Sequence, residues 1–309
     1  MKYQANIQPI FAFKELVKSG LVIFCAFGLS LSISWWFYPI SLLLLVRSMA
    51  VFMFLAHDGV HGVLHPSRVV NDWLSRFICS FPLLMSFSKF KRMHLRHHYA
   101  LNDQLHDPTY IVAGYFPMPL LRDFKQRVAE LLTLKYSRGF MIDNSEVVEI
   151  FYRLRGKKVA SADHEWIYYI CYAGLLLTGL YLIFGFTVLL LLYILPLLFF
   201  HLYIVIMTGL QHGPLETPVK SNYLSRNLDP SWIVDLLLPC NVGYHGTHHF
   251  APSVPFYSLP KATLEIEQGS KPDLFWTQSL SSALGELFPK TAWTAAKLRN
   301  ATIITETKN

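Results

Sequence analysis

The histidines carry the strongest chemical signal in this sequence. Thirteen are present, and eight fall into three tight groups. His57 and His61 bracket the run HDGVH. His94, His97 and His98 form HLRHH, and His245, His248 and His249 form HGTHH. Positions i, i+3 and i+4 share one face of a helix, so each group can aim two or three imidazoles at a common point. Neutral imidazole suits iron, zinc and copper. A single zinc takes about four ligands, so eight histidines are too many for it. They suit two metals with open coordination positions. His212, in Leu-Gln-His-Gly, is a ninth candidate ligand. The isolated His65, His106, His164 and His201 are read as structural.

Composition points to a membrane as the setting for these residues. Of 309 residues, 53% are hydrophobic and only 15% charged, against roughly 25% charged in soluble domains. Mean hydropathy is +0.34. Some 20 apolar residues cross a hydrocarbon core of roughly 30 Å. Four spans are expected, at about 20–36, 40–56, 166–184 and 187–208, paired as two tight hairpins. The second pair shares one long apolar block, interrupted near Gly185.

Charge placement orients this topology. Of the 27 Lys and Arg, three precede the first span, fifteen lie between His57 and Glu165, and eight follow Leu210. The hairpin turns hold none, and only Arg47 falls inside a span, where snorkelling to the interface is the expectation. Cytoplasmic loops collect positive charge. Both termini and the histidines are therefore expected on the cytoplasmic side of an integral membrane protein. The net charge of +7 needs no nucleic-acid partner to explain it.

The fold class expected is all-α integral membrane. Four transmembrane helices in two hairpins are joined by an interfacial or re-entrant helix within 69–90. A cytoplasmic helical cap, about 57–165 and 211–309, holds the metal site, and 1–309 forms one domain. Apolar spacing at Phe124, Val128, Leu131 and Leu132 predicts amphipathic helices over 120–165. The four cysteines are scattered without a CxxC pair, which argues against structural zinc or a disulfide framework. Residues 1–20 lack the pattern of a cleaved secretory signal.

HDGVH, HLRHH and HGTHH resemble the three histidine boxes of the membrane fatty acid desaturase superfamily, in the same order around the spans. The run Asn241 to Pro260 is similar to the family's continuation after the third box, and His97 to Asp107-Pro108 to its segment ending in Asp-Pro. The pair Gln211-His212 resembles the extra histidine many members carry. The resemblance covers roughly 20–262. It implies that His57, His61, His94, His97, His98, His212, His245, His248 and His249 hold two irons in a di-iron centre. Asp58 and Asp107 would orient ligand imidazoles from behind, and Asn241 would lie near the site.

The activity implied is O₂-dependent oxidation of an unactivated C–H bond in a long-chain lipid, with desaturation of an acyl chain as the leading outcome. The alternatives are hydroxylation or ketolation of a carotenoid, alkane or fatty acid, and decarboxylation of a fatty acid to a terminal alkene. A metal transporter or zinc hydrolase is a remote further reading. Transporters place ionisable ligands near mid-membrane, whereas these clusters lie at span ends. The chain has no flavin or nicotinamide fingerprint and no iron–sulfur cysteine cluster. Electrons must come from a separate donor, a ferredoxin or other carrier with its reductase.

Overall fold

The structure is a computed structural model that describes residues 6–101, 106–108, 165–212, 225–268 and 276–287. The expected helices over 120–163 and His164 lie outside the described residues. The chain divides into two compact units. The first comprises Asn6–Arg92 and Gly139–Tyr203, and the second Met1–Ala5, Met93–Arg138 and Ile204–Asn309.

The first unit is built from apolar helices. Helix α1 (Pro9–Gly28) starts at a proline, whose fixed φ suits a first turn, and continues through a wide turn to Ile33. It starts well before the apolar run at Gly20, because Lys14 and Lys18 are tolerated on its exposed first turns. Lys18 pairs with Glu15 at 2.7 Å. Ser34 breaks the helix in extended conformation and caps the short turn Trp35–Phe37. Helix α2 (Tyr38–Val60) then runs back, with Pro39 in its first turn. Small residues bring the two helices together: Ser30 Oγ donates to Ser41 Oγ, and Ser41 Oγ to Ala26 O, both at 2.9 Å. Close approach through small and hydroxyl-bearing residues is how helices pack where lipid gives no hydrophobic drive. Arg47 is half-buried on α2.

Helix α3 (Arg68–Trp73) runs on through wider and tighter turns to Leu83. This stretch folds against the end of α2. Asn71 Nδ2 donates to Gly59 O at 2.8 Å, and Asn71 Oδ1 accepts from Leu64 N at 3.1 Å. Gly59, inside HDGVH, lies directly under Ser75: a Cβ there would sit 1.8 Å from Ser75 Oγ and 2.7 Å from Ser75 Cβ. Gly59→Ala is therefore expected to cost about 1–3 kcal/mol by overpacking. Thermal unfolding in detergent measures it, and an unchanged midpoint would contradict the contact.

Helix α4 (Phe87–Tyr99) follows and extends into the second unit. Helix α5 (Glu165–Leu189) and helix α6 (Leu195–His212) lie on one apolar stretch. Its candidate span, Ile167–His212, has 46 residues, which at 1.5 Å each is about 69 Å and more than twice a bilayer core. The stretch turns at Gly185, whose φ 79, ψ 172 only glycine adopts readily. Two tyrosines show the reversal. Tyr169 OH donates to Leu84 O at 3.0 Å, and Tyr193 OH to Pro82 O at 2.7 Å. Residues 24 apart on either side of Gly185 thus reach carbonyls two residues apart. The two hairpin turns lie at the same end of this unit: Phe27 packs edge-on to Phe184, and Tyr38 OH donates to Leu191 O at 2.7 Å. The described residues hold three segments long and apolar enough to cross a membrane, the third doubled back in this way.

The second unit takes the ends of α4 and α6 and adds shorter elements. These are β1 (Arg226–Leu228), α7 (Trp232–Leu237), α8 (His245–Phe250), α9 (Leu259–Glu267), β2 (Trp276–Gln278) and α10 (Leu280–Leu287). Strands β1 and β2 pair in parallel, with Asn227 opposite Thr277. The described residues are mostly helical, as expected, and this short strand pair is an addition to that expectation. Strands of three residues are too short to show alternation, and β1 is buried at every position.

Candidate metal centre

Helix α8 lifts the third histidine group into place because its neighbours leave it one position. Asn227 clamps it from β1: its Oδ1 accepts from Thr247 N and its Nδ2 donates to Thr247 Oγ1, both at 3.0 Å. Thr247 Oγ1 also meets Thr263 Oγ1 of α9 at 2.6 Å. Gly246 lets the strand come close, since a Cβ there would lie 3.0 Å from Ser225 O and 3.1 Å from Asn227 Oδ1. Below the helix, Ala251, Val254, Leu259 and Ala262 form a small apolar core with Tyr244 and Phe250.

Four imidazoles then converge. His97 from α4, His212 at the end of α6, and His245 and His249 from α8 are all buried, and one ligand nitrogen of each lies within 4.8 Å of the others. The Nε2–Nε2 separations are 2.7 Å for His212–His245, 3.1 Å for His245–His249 and 3.3 Å for His97–His249. Nitrogens about 2.0–2.1 Å from one metal would stand roughly 3 Å apart, so this set fits a single cation. Burial, then the neighbouring His245, His98, His212 and His97, hold the His249 imidazole well below its usual pKa. It is therefore neutral near pH 7, the form that binds metal.

A buried carboxylate backs one of these imidazoles, that of His97. Asp107 Oδ1 lies 2.8 Å from His97 Nδ1, and Asp107 is fully buried. A proton on Nδ1 leaves the Nε2 lone pair facing the cluster, the arrangement that orients metal-bound histidine. Removing this carboxylate by Asp107→Ala is expected to weaken metal binding by about 10–100-fold. Chelator competition on the purified protein measures it. Unchanged affinity would remove Asp107 from the site.

A second set lies in the same unit. His98 Nε2 is 2.9 Å from His94 Nε2 and 3.1 Å from His248 Nε2. In the first unit, His57 stands in the last turn of α2 and His61 just beyond it, their rings 5.3 Å apart. The nine sequence-selected histidines thus appear as a converging four, a converging three and a facing pair.

The other selected residues fall elsewhere. Asp58 Oδ1 is 3.9 Å from His57 Nδ1, beyond hydrogen-bond reach. Asn241 sits with Cys240 in left-handed backbone, and its Nδ2 donates to Phe256 O at 3.1 Å. It shapes the turn leading into α8. His65 Nδ1 accepts from Ser67 N, and His201 Nδ1 bonds Leu197 O, as expected of structural histidines.

Sequence reasoning missed Asn227, Thr263 and Glu165. Glu165 is buried and caps α4, the helix of the second histidine group. Its Oε2 accepts from Ser88 N at 3.0 Å and from Ser88 Oγ, and Arg76 Nε lies 3.5 Å away. A carboxylate at a helix N-terminus satisfies first-turn amides and the helix dipole. Only its place at the head of an apolar run hinted at a role.

Long apolar helices and converging imidazoles mark a membrane protein compatible with a histidine-held metal centre. The fatty acid desaturase family model matches residues 33–278, which takes in every selected histidine, and the chain belongs to that family of oxidoreductases. Dihydrorhizobitoxine desaturase of Bradyrhizobium elkanii is 26% identical to it over 250 residues, covering 75% of this chain and 68% of that protein.

Proposed function

We propose that this chain is an integral membrane desaturase that introduces a double bond into the acyl chain of a lipid, using two irons held by the nine histidines. The observation that carries this reading is the convergence of four buried imidazoles within a chain of the desaturase family. His97, His212, His245 and His249 hold one iron. His94, His98 and His248 would contribute to the other, and the resemblance of HDGVH to the family's first histidine box assigns His57 and His61 to the pair of irons. With two electrons and O₂, such a centre supplies an oxidant able to take hydrogen from an unactivated methylene. Atoms balance when CH₂–CH₂, O₂, two electrons and two protons give CH=CH and two waters.

The chain's own residues hold and orient. Asp107 keeps His97 in the metal-binding tautomer, Asn227 and Thr263 hold α8, and Glu165 holds the start of α4. In this reading four spans in two hairpins turn at Ser34 and Gly185, and the Lys and Arg held outside the hairpin turns support a cytoplasmic side for the histidine groups. There a separate electron carrier, a ferredoxin or similar protein, reaches them. The name of the Bradyrhizobium relative states desaturation, which favours an alkene product over an alcohol.

Product analysis tests this. The wild type and His248→Ala are expressed in a host with a defined lipid pool and a co-expressed ferredoxin and reductase. The expected result is a new internal double bond in lipid extracts, absent from the variant. An oxygenated product or a terminal alkene made only by the wild type would overturn desaturation.

A further inference from the structure

Helix α7 turns an apolar face outward. Trp232, Ile233, Leu236 and Leu237 are 74%, 41%, 50% and 47% exposed. At about 100° per residue these four positions fill one arc of the helix. Val234 points the other way and is buried, so close to Gly243 that a Cβ there would lie 2.9 Å from Val234 Cγ1. Asp235 is exposed on the flank.

Contacts within this unit tie α7 to the end of α6. Gln211, the residue before His212, donates from Nε2 to Val242 O at 3.0 Å. Val242 precedes Gly243, on which Val234 rests. Leu228 N, at the end of β1, donates to Gly243 O at 2.8 Å. Two short steps therefore separate α7 from the residue at which the last apolar helix ends. An outward face of Trp, Ile and two Leu at that level suits the boundary between headgroups and acyl chains.

We propose that α7 is a membrane-surface anchor whose Trp232, Ile233, Leu236 and Leu237 enter the lipid at the end of α6. This rests on reading α6 as a spanning helix. Residues 227–237 contain no Lys or Arg but include Asp229 and Asp235, so apolar burial drives the contact and anionic lipid is not needed. The anchor sits eight residues before His245, and it holds the third histidine group against the surface from which an acyl chain leaves the bilayer.

Tryptophan quenching tests this on the full chain in nanodiscs of zwitterionic phosphatidylcholine. Subtracting the spectrum of Trp232→Phe isolates Trp232, and Trp36→Phe isolates the tryptophan at the first hairpin turn. The expected result is that Trp232 emission falls at least about twofold in discs with brominated acyl chains and is unmoved by aqueous iodide. Quenching by iodide alone would overturn the anchor. So would quenching by neither, which places Trp232 against protein, a second copy included. Bromine quenching of Trp36 but not Trp232 rejects the anchor alone. Iodide quenching of both, with no bromine effect on either, rejects the spanning topology as well.

Discussion

His249→Ala is expected to abolish activity and to remove one of two bound metals. His249 is the hub of the four-histidine set, with its Nε2 3.1 Å from that of His245 and 3.3 Å from that of His97. Its ring also stacks on His98, with centroids 4.3 Å apart. Loss of an outer-sphere partner already costs about 10–100-fold in affinity, and loss of a ligand at the hub exceeds that. Iron per chain should fall from about two to about one, and product to below detection. The helical signal should stay close to wild type, since α8 keeps its Asn227 and Thr263 contacts. A variant retaining full iron and measurable product would remove His249 from the centre.

The largest expected stability effect lies away from the imidazoles. Arg226 is 1% exposed, and its Nη1 donates to Glu286 Oε2 at 3.0 Å and to Gln278 Oε1 at 2.8 Å. Burial pulls the Arg226 guanidinium down from its usual pKa, and the Glu286 carboxylate pushes it back up. Removing one partner of a buried ion pair costs about 3–5 kcal/mol, because the remaining charge stays out of water. Glu286→Ala is expected to lose that much in denaturant unfolding. Glu286→Gln, which keeps an acceptor, should lose about 1–3 kcal/mol. Equal, small losses from both would mean that the pair is solvated. The pair bears on the site because β1 also carries Asn227, so Glu286→Ala should loosen α8 as well.

The sequence made the histidines legible because their spacing is local. Groups at i, i+3 and i+4 need only one helix, and α4 and α8 supply it. The break at Gly185 was legible for the same reason, as was the apolar character of α1, α2, α5 and α6. What stayed hidden joins residues distant in sequence. Asn227 and Thr247 are 20 apart, Ser88 and Glu165 are 77 apart, and Arg226 and Glu286 are 60 apart. No periodicity announces such pairs. The glycines of HDGVH and HGTHH were visible as letters, but their reason appears only when Ser75 and Ser225 are seen to lie against them. Asp107 was legible only through resemblance, and its contact with His97 is visible only in the fold.

Metal analysis of the purified wild-type chain tests the central claim most directly. Elemental analysis and X-ray absorption at the iron edge should be made on the protein in mild detergent. The expected result is about two irons per chain in a shell of nitrogen and light oxygen ligands, falling to about one in His249→Ala. A single zinc per chain, or no metal retained by a folded and membrane-inserted chain, would contradict the two-iron centre.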